Sequence, residues 1–83
     1  MKLRKLDITD LMILRILGED KKMSEAAKIL NLSQPSITFR MYKIEKIIGP
    51  IITRDTRTRN LTEKGALASA AAADCLDLLD RLT

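Results

Sequence analysis

Residues 24–49 read SEAAKILNLSQPSITFRMYKIEKIIG. Two helices and the joint between them are written in this stretch. Ser24 is expected to cap the first, Ala26, Ala27, Ile29 and Leu30 recur on one helical face, and Asn31 stands where a left-handed residue ends a helix. The joint is Asn31-Leu32-Ser33. Ser33 then caps a second helix and Pro35 lies in its first turn, where a missing N–H costs nothing. Ile37, Met41, Ile44 and Ile48, spaced four, three and four, form its buried stripe, and Gly49-Pro50 stops it.

Working outward, an earlier helix is predicted from about Asp7 to Leu17, with Asp7 as its cap, Ile8, Leu11, Leu14 and Leu17 on its inner face and Gly18 at its end. Downstream, residues 51–53 and 59–61 read as two short strands around a polar hairpin tip. Thr62 caps a long last helix reaching about Leu82. Two short helices joined by a three-residue turn and followed by a basic hairpin have the outline of a winged helix-turn-helix. The expected fold is mainly α: a three-helix core, a two-stranded β wing and a long C-terminal dimerisation helix, with residues 1–62 as the DNA-binding domain and 63–83 as the linker or dimerisation helix.

Composition narrows the function. The 83 residues include no His and no Trp, one Phe, one Tyr and one Cys, so the core is aliphatic and a tetrahedral zinc site or a His-dependent nucleophile has almost nothing to use. No metal, no cofactor and no enzymatic activity are expected. No apolar run approaches the ~20 residues of a membrane span, and MKLRKLDITD at the N-terminus lacks a signal-peptide core. The chain reads as soluble, cytoplasmic and nucleoid-associated. Its net charge of +4 is uneven: residues 1–62 carry thirteen Lys/Arg against seven Asp/Glu, and residues 63–83 carry two against four. A basic body suits nucleic acid, an anionic membrane or an acidic protein, and organisation decides among them.

On the helix opened by Ser33, a rotation of 100° per residue places Pro35, Phe39, Tyr42, Lys43 and Lys46 opposite the apolar stripe, flanked by Ser36, Thr38 and Arg40. Gln34, Thr38 and Arg40 are expected at base edges or adjacent phosphates: Gln pairs with adenine, Arg with guanine, Thr with a base or a phosphate. Ser33 and Ser36 are expected to satisfy the helix N-terminus, which itself suits a phosphate. Lys43 on this face has solvation as its simplest role, with DNA contact as the alternative. Phe39 calls for a contact, with a thymine methyl, with a protein partner, or with the wing or the first helix. In the hairpin, Arg54, Arg57 and Arg59 alternate so that one arginine enters a minor groove while its neighbours meet phosphates.

The last helix carries Leu67, Ala71, Cys75, Leu78 and Leu82, flanked by Ala68, Ala72, Leu76 and Leu79. This arc is too wide for one intramolecular contact, so the helix is expected to mediate a homodimer while packing partly on the first helix. Cys75 reads most simply as a small buried apolar residue.

Ala26-Ala27, Ser33-Gln34-Pro35, Ile44-Glu45, Gly49, Arg54 and Leu61-Thr62-Glu63-Lys64-Gly65 together resemble the N-terminal winged helix-turn-helix domain of LysR-type transcriptional regulators. The resemblance spans about residues 6–82. It implies that Gln34, Pro35, Ser36, Thr38 and Phe39 face DNA, that Arg57 is the wing-tip arginine of the minor groove, and that the last helix is the linker helix of a dimer. Three departures stand out: Phe39 where arginine is usual, Ile52 in place of a frequent Phe, and an approach to the wing through Gly49-Pro50-Ile51 about one residue shorter than usual. Relatives usually continue into a domain that senses a small-molecule inducer, whereas this sequence ends in the linker helix. It is therefore expected to be either an excised DNA-binding domain or a stand-alone regulator with no small-molecule ligand, and the start at Met1 leans to the second. The expected function is sequence-specific binding of double-stranded DNA by a homodimeric transcriptional regulator. The alternatives are a winged-helix module that contacts polymerase or another regulator through Phe39 and Tyr42, or a DNA-binding accessory factor of a phage or plasmid.

Overall fold

The computed structural model describes residues 2–53 and 60–83. A short 3₁₀ turn, Lys2–Lys5, precedes four helices: α1 (Ile8–Gly18), α2 (Met23–Ile29), α3 (Gln34–Ile48) and α4 (Glu63–Asp80).

Each helix begins where a side chain or a backbone angle lets it. Asp7 caps α1, its Oδ1 accepting from the Asp10 N–H at 2.9 Å while Asp10 Oδ2 accepts from the Asp7 N–H at 3.1 Å, so the two acids satisfy each other's orphan donors. Ser33 caps α3 by accepting from Ser36 N–H, with Pro35 in the first turn. Thr62 caps α4 by accepting from Gly65 N–H at 2.9 Å. Asn31 adopts the left-handed conformation at φ 56°, which lets the chain leave α2 and enter α3 within the expected joint. The start of α2 differs from the expectation: the cap falls two residues earlier, at Lys22, and the helix opens at Met23. Ser24 makes no cap there, and the Glu25 carboxylate instead accepts from the Lys22 N–H at 3.2 Å.

The core is the predicted aliphatic one. Ile13, Ile37, Ile44 and Ile51 are fully buried, joined by Leu14, Leu17, Ala26, Ala27 and Met41; each isoleucine withdrawn from water contributes roughly 2 kcal/mol. Helices α1, α2 and α3 pack on one another, and α1 makes its most extensive contact with α4. The buried face of α4 is built from small residues, Gly65, Ser69 and Ala72, ending in Leu76. A Cβ on Gly18 would come within 2.7 Å of the Ser69 hydroxyl, and one on Gly65 within 2.2 Å of the Ile51 carbonyl oxygen. Both glycines are sites of close approach.

Where two wing strands were expected, the described residues hold a single antiparallel bridge, Ile52 to Leu61, and no strand. Thr53 N–H donates to the Asn60 carbonyl at 2.8 Å and Thr62 N–H to the Ile51 carbonyl at 2.8 Å. The three expected wing arginines, Arg54, Arg57 and Arg59, lie outside the described residues. The base of this segment is fastened on both sides: Glu45 Oε2 of α3 accepts from the Ile51 N–H at 2.9 Å, and the Thr62 hydroxyl donates to the Pro50 carbonyl at 2.6 Å.

Candidate nucleic-acid interface

Helix α3 turns Ile37, Met41 and Ile44 into the core, which aims the opposite face outward. Gln34, Pro35, Ser36, Thr38, Phe39 and Tyr42 are all exposed. Phe39 is 70% and Tyr42 60% accessible, so Phe39 is not packed on the first helix. One helical turn on, the Lys46 ammonium sits 5.1 Å from the centre of the Tyr42 ring, a cation–π contact at the surface. At the helix N-terminus the Ser33 hydroxyl accepts from the Ser36 backbone N–H at 3.2 Å.

The cations of this helix behave differently from the sequence reading. Arg40 does not project outward to a base edge; its Nη1 lies 2.9 Å from both oxygens of Asp7 and 3.0 Å from Asp10 Oδ1. Lys43 is not a solvated outer residue either, because its ammonium pairs with Asp10 Oδ2. Asp10 is completely buried, and a buried carboxylate without partners is costly enough to recruit any cation within reach. The Arg40 and Lys43 side chains retain about a quarter of their exposure, 26% and 28%. Hydrogen bonds from Arg40 hold the Asp7 carboxyl below its ordinary value of 3.8, against a smaller opposing effect of burial. The same bonds to Asp7 and Asp10 raise Arg40 above its usual range.

Asp10 is the site residue that sequence reasoning missed. The available signal was an acid at the third position of a helix, followed at once by the apolar run Leu11 to Leu14. An open cleft between α1 and α3 is lined by Asp7, Pro35, Ser36, Phe39, Arg40 and Lys43, and it brings the cap of α1 together with five of the residues expected to face DNA.

Helix α4 presents a second exposed face. Leu67 is 67% and Leu78 60% accessible, Ala71 and Cys75 between them are also exposed, and Leu82, 82% accessible, lies two residues past the helix end at Asp80. The four within the helix follow one another at helical spacing, about 130° around it from Gly65, Ser69, Ala72 and Leu76. Cys75 therefore departs from the buried position expected of it: it is a free, exposed thiol. Leu76, one residue on, fills the inner position. No group of acids and cysteine among the described residues could hold a metal ion, and no described helix is long and apolar enough to cross a membrane.

Comparison with known proteins agrees with this geometry. HTH-type transcriptional regulator YraN of Bacillus subtilis (strain 168), itself uncharacterized, is 46% identical over 44 residues, which is 53% of this chain and 15% of that protein. Among solved structures, full-length CbnR complexed with its target DNA shares 31% identity at a TM-score of 0.78, covering 92% of this chain and 27% of that one. The DNA-binding domain of BenM with benA site 1 DNA gives a TM-score of 0.81 at 20% identity, covering 93% of this chain and 88% of that one. DarR of Vibrio fischeri in complex with DNA gives 0.80 at 23% identity over 93% of this chain and 27% of that one. The chain thus spans a minor part of YraN, CbnR and DarR and most of the BenM domain. Residues 8–66 match the pattern of the bacterial regulatory helix-turn-helix proteins of the lysR family, and with the helical architecture described above they make this chain a member of the LysR family.

Proposed function

We propose that this chain binds double-stranded DNA sequence-specifically, as a homodimer, and regulates transcription. The observation that carries the reading is the outward aim of the first turns of α3: Gln34, Ser36 and Thr38 are exposed while Ile37, Met41 and Ile44 anchor the same helix in the core. A helix of ~10–12 Å diameter enters the major groove with its N-terminal residues at base edges. Gln34 and Thr38 are the hydrogen-bonding readers in this docking, and Ser33, Pro35 and Ser36 set the helix end against a phosphate. Arg54, Arg57 and Arg59 supply the wing contacts, with Arg57 in the minor groove, as the family resemblance implies. Arg40 and Lys43 keep a share in DNA contact only through the surface their pairing with Asp10 leaves open. The face formed by Leu67, Ala71, Cys75, Leu78 and Leu82 is the proposed seam of the dimer, which would set two recognition helices on a two-fold-related site. The protein works by binding rather than turnover, in the cytoplasm.

The test is selection of bound sequences from a random DNA pool, with the mass of the complex measured in solution. The expected result is a two-fold-symmetric motif carrying two protomers, with an affinity that falls linearly on a log–log plot against salt. A half-site held by one protomer would remove the role given to α4. The exposed Phe39 and Tyr42 favour a second reading, a protein-interaction module, which predicts no DNA retained at moderate salt.

A further inference from the structure

We propose that Phe39 reads a thymine, its ring packing against the C5-methyl group of that base in the major groove. The inference rests on the DNA-binding reading above and adds to it the chemistry of one base contact.

Three observations converge on position 39. The ring is 70% accessible, although it is the chain's only Phe and burying it would have removed a large apolar surface from water. Its direction is set: at 100° per residue, Phe39 lies about 160° around α3 from the fully buried Ile37, so the side chain leads the face that would enter a groove. It stands in the second turn from the helix N-terminus, and the N-terminal part of a recognition helix is the part that reaches base edges.

The electrostatics select what the ring meets. Between residues 34 and 43 the two cations are Arg40 and Lys43, and both are drawn back onto Asp10, with Arg40 also on Asp7. Two positive and two negative groups leave the cleft beside Phe39 with no net charge. Phosphates gain little from such a surface, whereas a base edge that offers a methyl group gains contact with an aromatic ring. Thymine is the base whose major-groove edge carries a methyl. Gln34 and Thr38, exposed on one side of Phe39, supply hydrogen bonds to neighbouring positions, so the ring is asked only for apolar complementarity.

The test uses the site obtained by selection, with each thymine replaced singly by deoxyuridine, which lacks only the C5-methyl. At one thymine of each half-site the wild-type protein should bind the deoxyuridine form ~4-fold more weakly, the value for about one buried methyl-sized group. Phe39→Ala should bind the thymine form with a similar loss and no longer distinguish the two. A thermal unfolding midpoint equal to wild type would establish that Phe39→Ala, a change at an exposed position, leaves the fold intact. Phe39→Arg, submitted to the same selection, should exchange the thymine preference for guanine at that position. A selected site that tolerates deoxyuridine at every thymine, or a Phe39→Ala protein that discriminates as wild type does, overturns the assignment of Phe39 alone. A protein that selects no DNA at all overturns the DNA-binding reading and this inference with it.

Discussion

Arg40 of α3 and Asp10 of α1 are joined across thirty residues by a 3.0 Å contact between Nη1 and Oδ1, and the carboxylate has no exposed surface. Lys43 takes the other oxygen and Asp7 takes a further share of Arg40 at 2.9 Å. Helix α3 is thus tied to α1 by charge along the edge of its apolar stripe, and two of its three cations, Arg40 and Lys43, are engaged within the protein.

Asp10→Asn keeps the shape and removes the charge, leaving both cations beside a neutral amide. Breaking one side of a buried ion network typically costs about 3 kcal/mol, reduced here because Arg40 and Lys43 are partly solvated. Urea unfolding should show a midpoint lowered by the equivalent of roughly 2 kcal/mol with an unchanged slope. DNA binding should respond in the opposite sense. With Arg40 and Lys43 released toward phosphates, the log–log salt dependence should steepen by up to about 0.9 per added contact. A slope identical to wild type would mean that neither side chain reaches the backbone.

Acid should weaken the fold through Asp7. Its folded-state carboxyl titrates below the ordinary 3.8 because Arg40 bonds to the ionised form, so the stabilisation is complete above pH 3.8 and is lost as pH falls through the lower folded value. Asp7→Asn should therefore flatten the stability curve below about pH 4, measured as Tm against pH, and should leave the neutral and alkaline limb with the same form. The Arg40 shift is upward; its contribution is present below the usual guanidinium range and is not withdrawn across any ordinary pH.

Gly65→Ala sets helix propensity against space. Alanine would favour α4 by about 1 kcal/mol, but its Cβ would lie 2.2 Å from the Ile51 carbonyl oxygen, a backbone atom with no rotamer to move. A net loss of about 2 kcal/mol is expected, in the range of overpacked cores, read as a lower Tm. A variant as stable as wild type would show that α4 can slide away from residue 51 at little cost.

Leu78→Asp places a charge in the proposed dimer seam at a position that is 60% exposed in the single chain. Sedimentation should change from two chains to one. Unfolding of the single chain at low concentration should stay within about 0.5 kcal/mol, as for a surface change. Persistence of the dimer would move the seam off this face of α4.

Local chemistry made most of the fold legible. The Ser33-Gln34-Pro35 opening, the left-handed Asn31, the Thr62 cap and the spacing of Ile37, Met41 and Ile44 each act within a few residues, and each stands where the pattern predicted. The ties between elements were not legible. An ion pair between residues 10 and 40 leaves no periodic trace, so Arg40 and Lys43 looked like free groups on an outer face. The alanine-rich α4 hid its register for a related reason: when Gly65, Ser69 and Ala72 do much of the packing, the large apolar residues no longer mark the inside, and Cys75, expected to be buried, is exposed while Leu76 beside it is buried. At Lys22 the backbone entered α2 on the strength of the Glu25 carboxylate, a device that lies downstream of the residue it serves.

The clasp around Ile51 has a consequence for how the chain tolerates changes in length. Its N–H is held by Glu45 and its carbonyl by Thr62, and the Cβ-free Gly65 lies close against that carbonyl. One added or deleted residue between 49 and 51, or between 60 and 62, would have to break at least one of these contacts and re-aim α4 against α3. Thr53 and Asn60 close the ladder with a 2.8 Å bond. Changes of length at these two joints are thereby opposed, and the angle between α3 and α4 is kept.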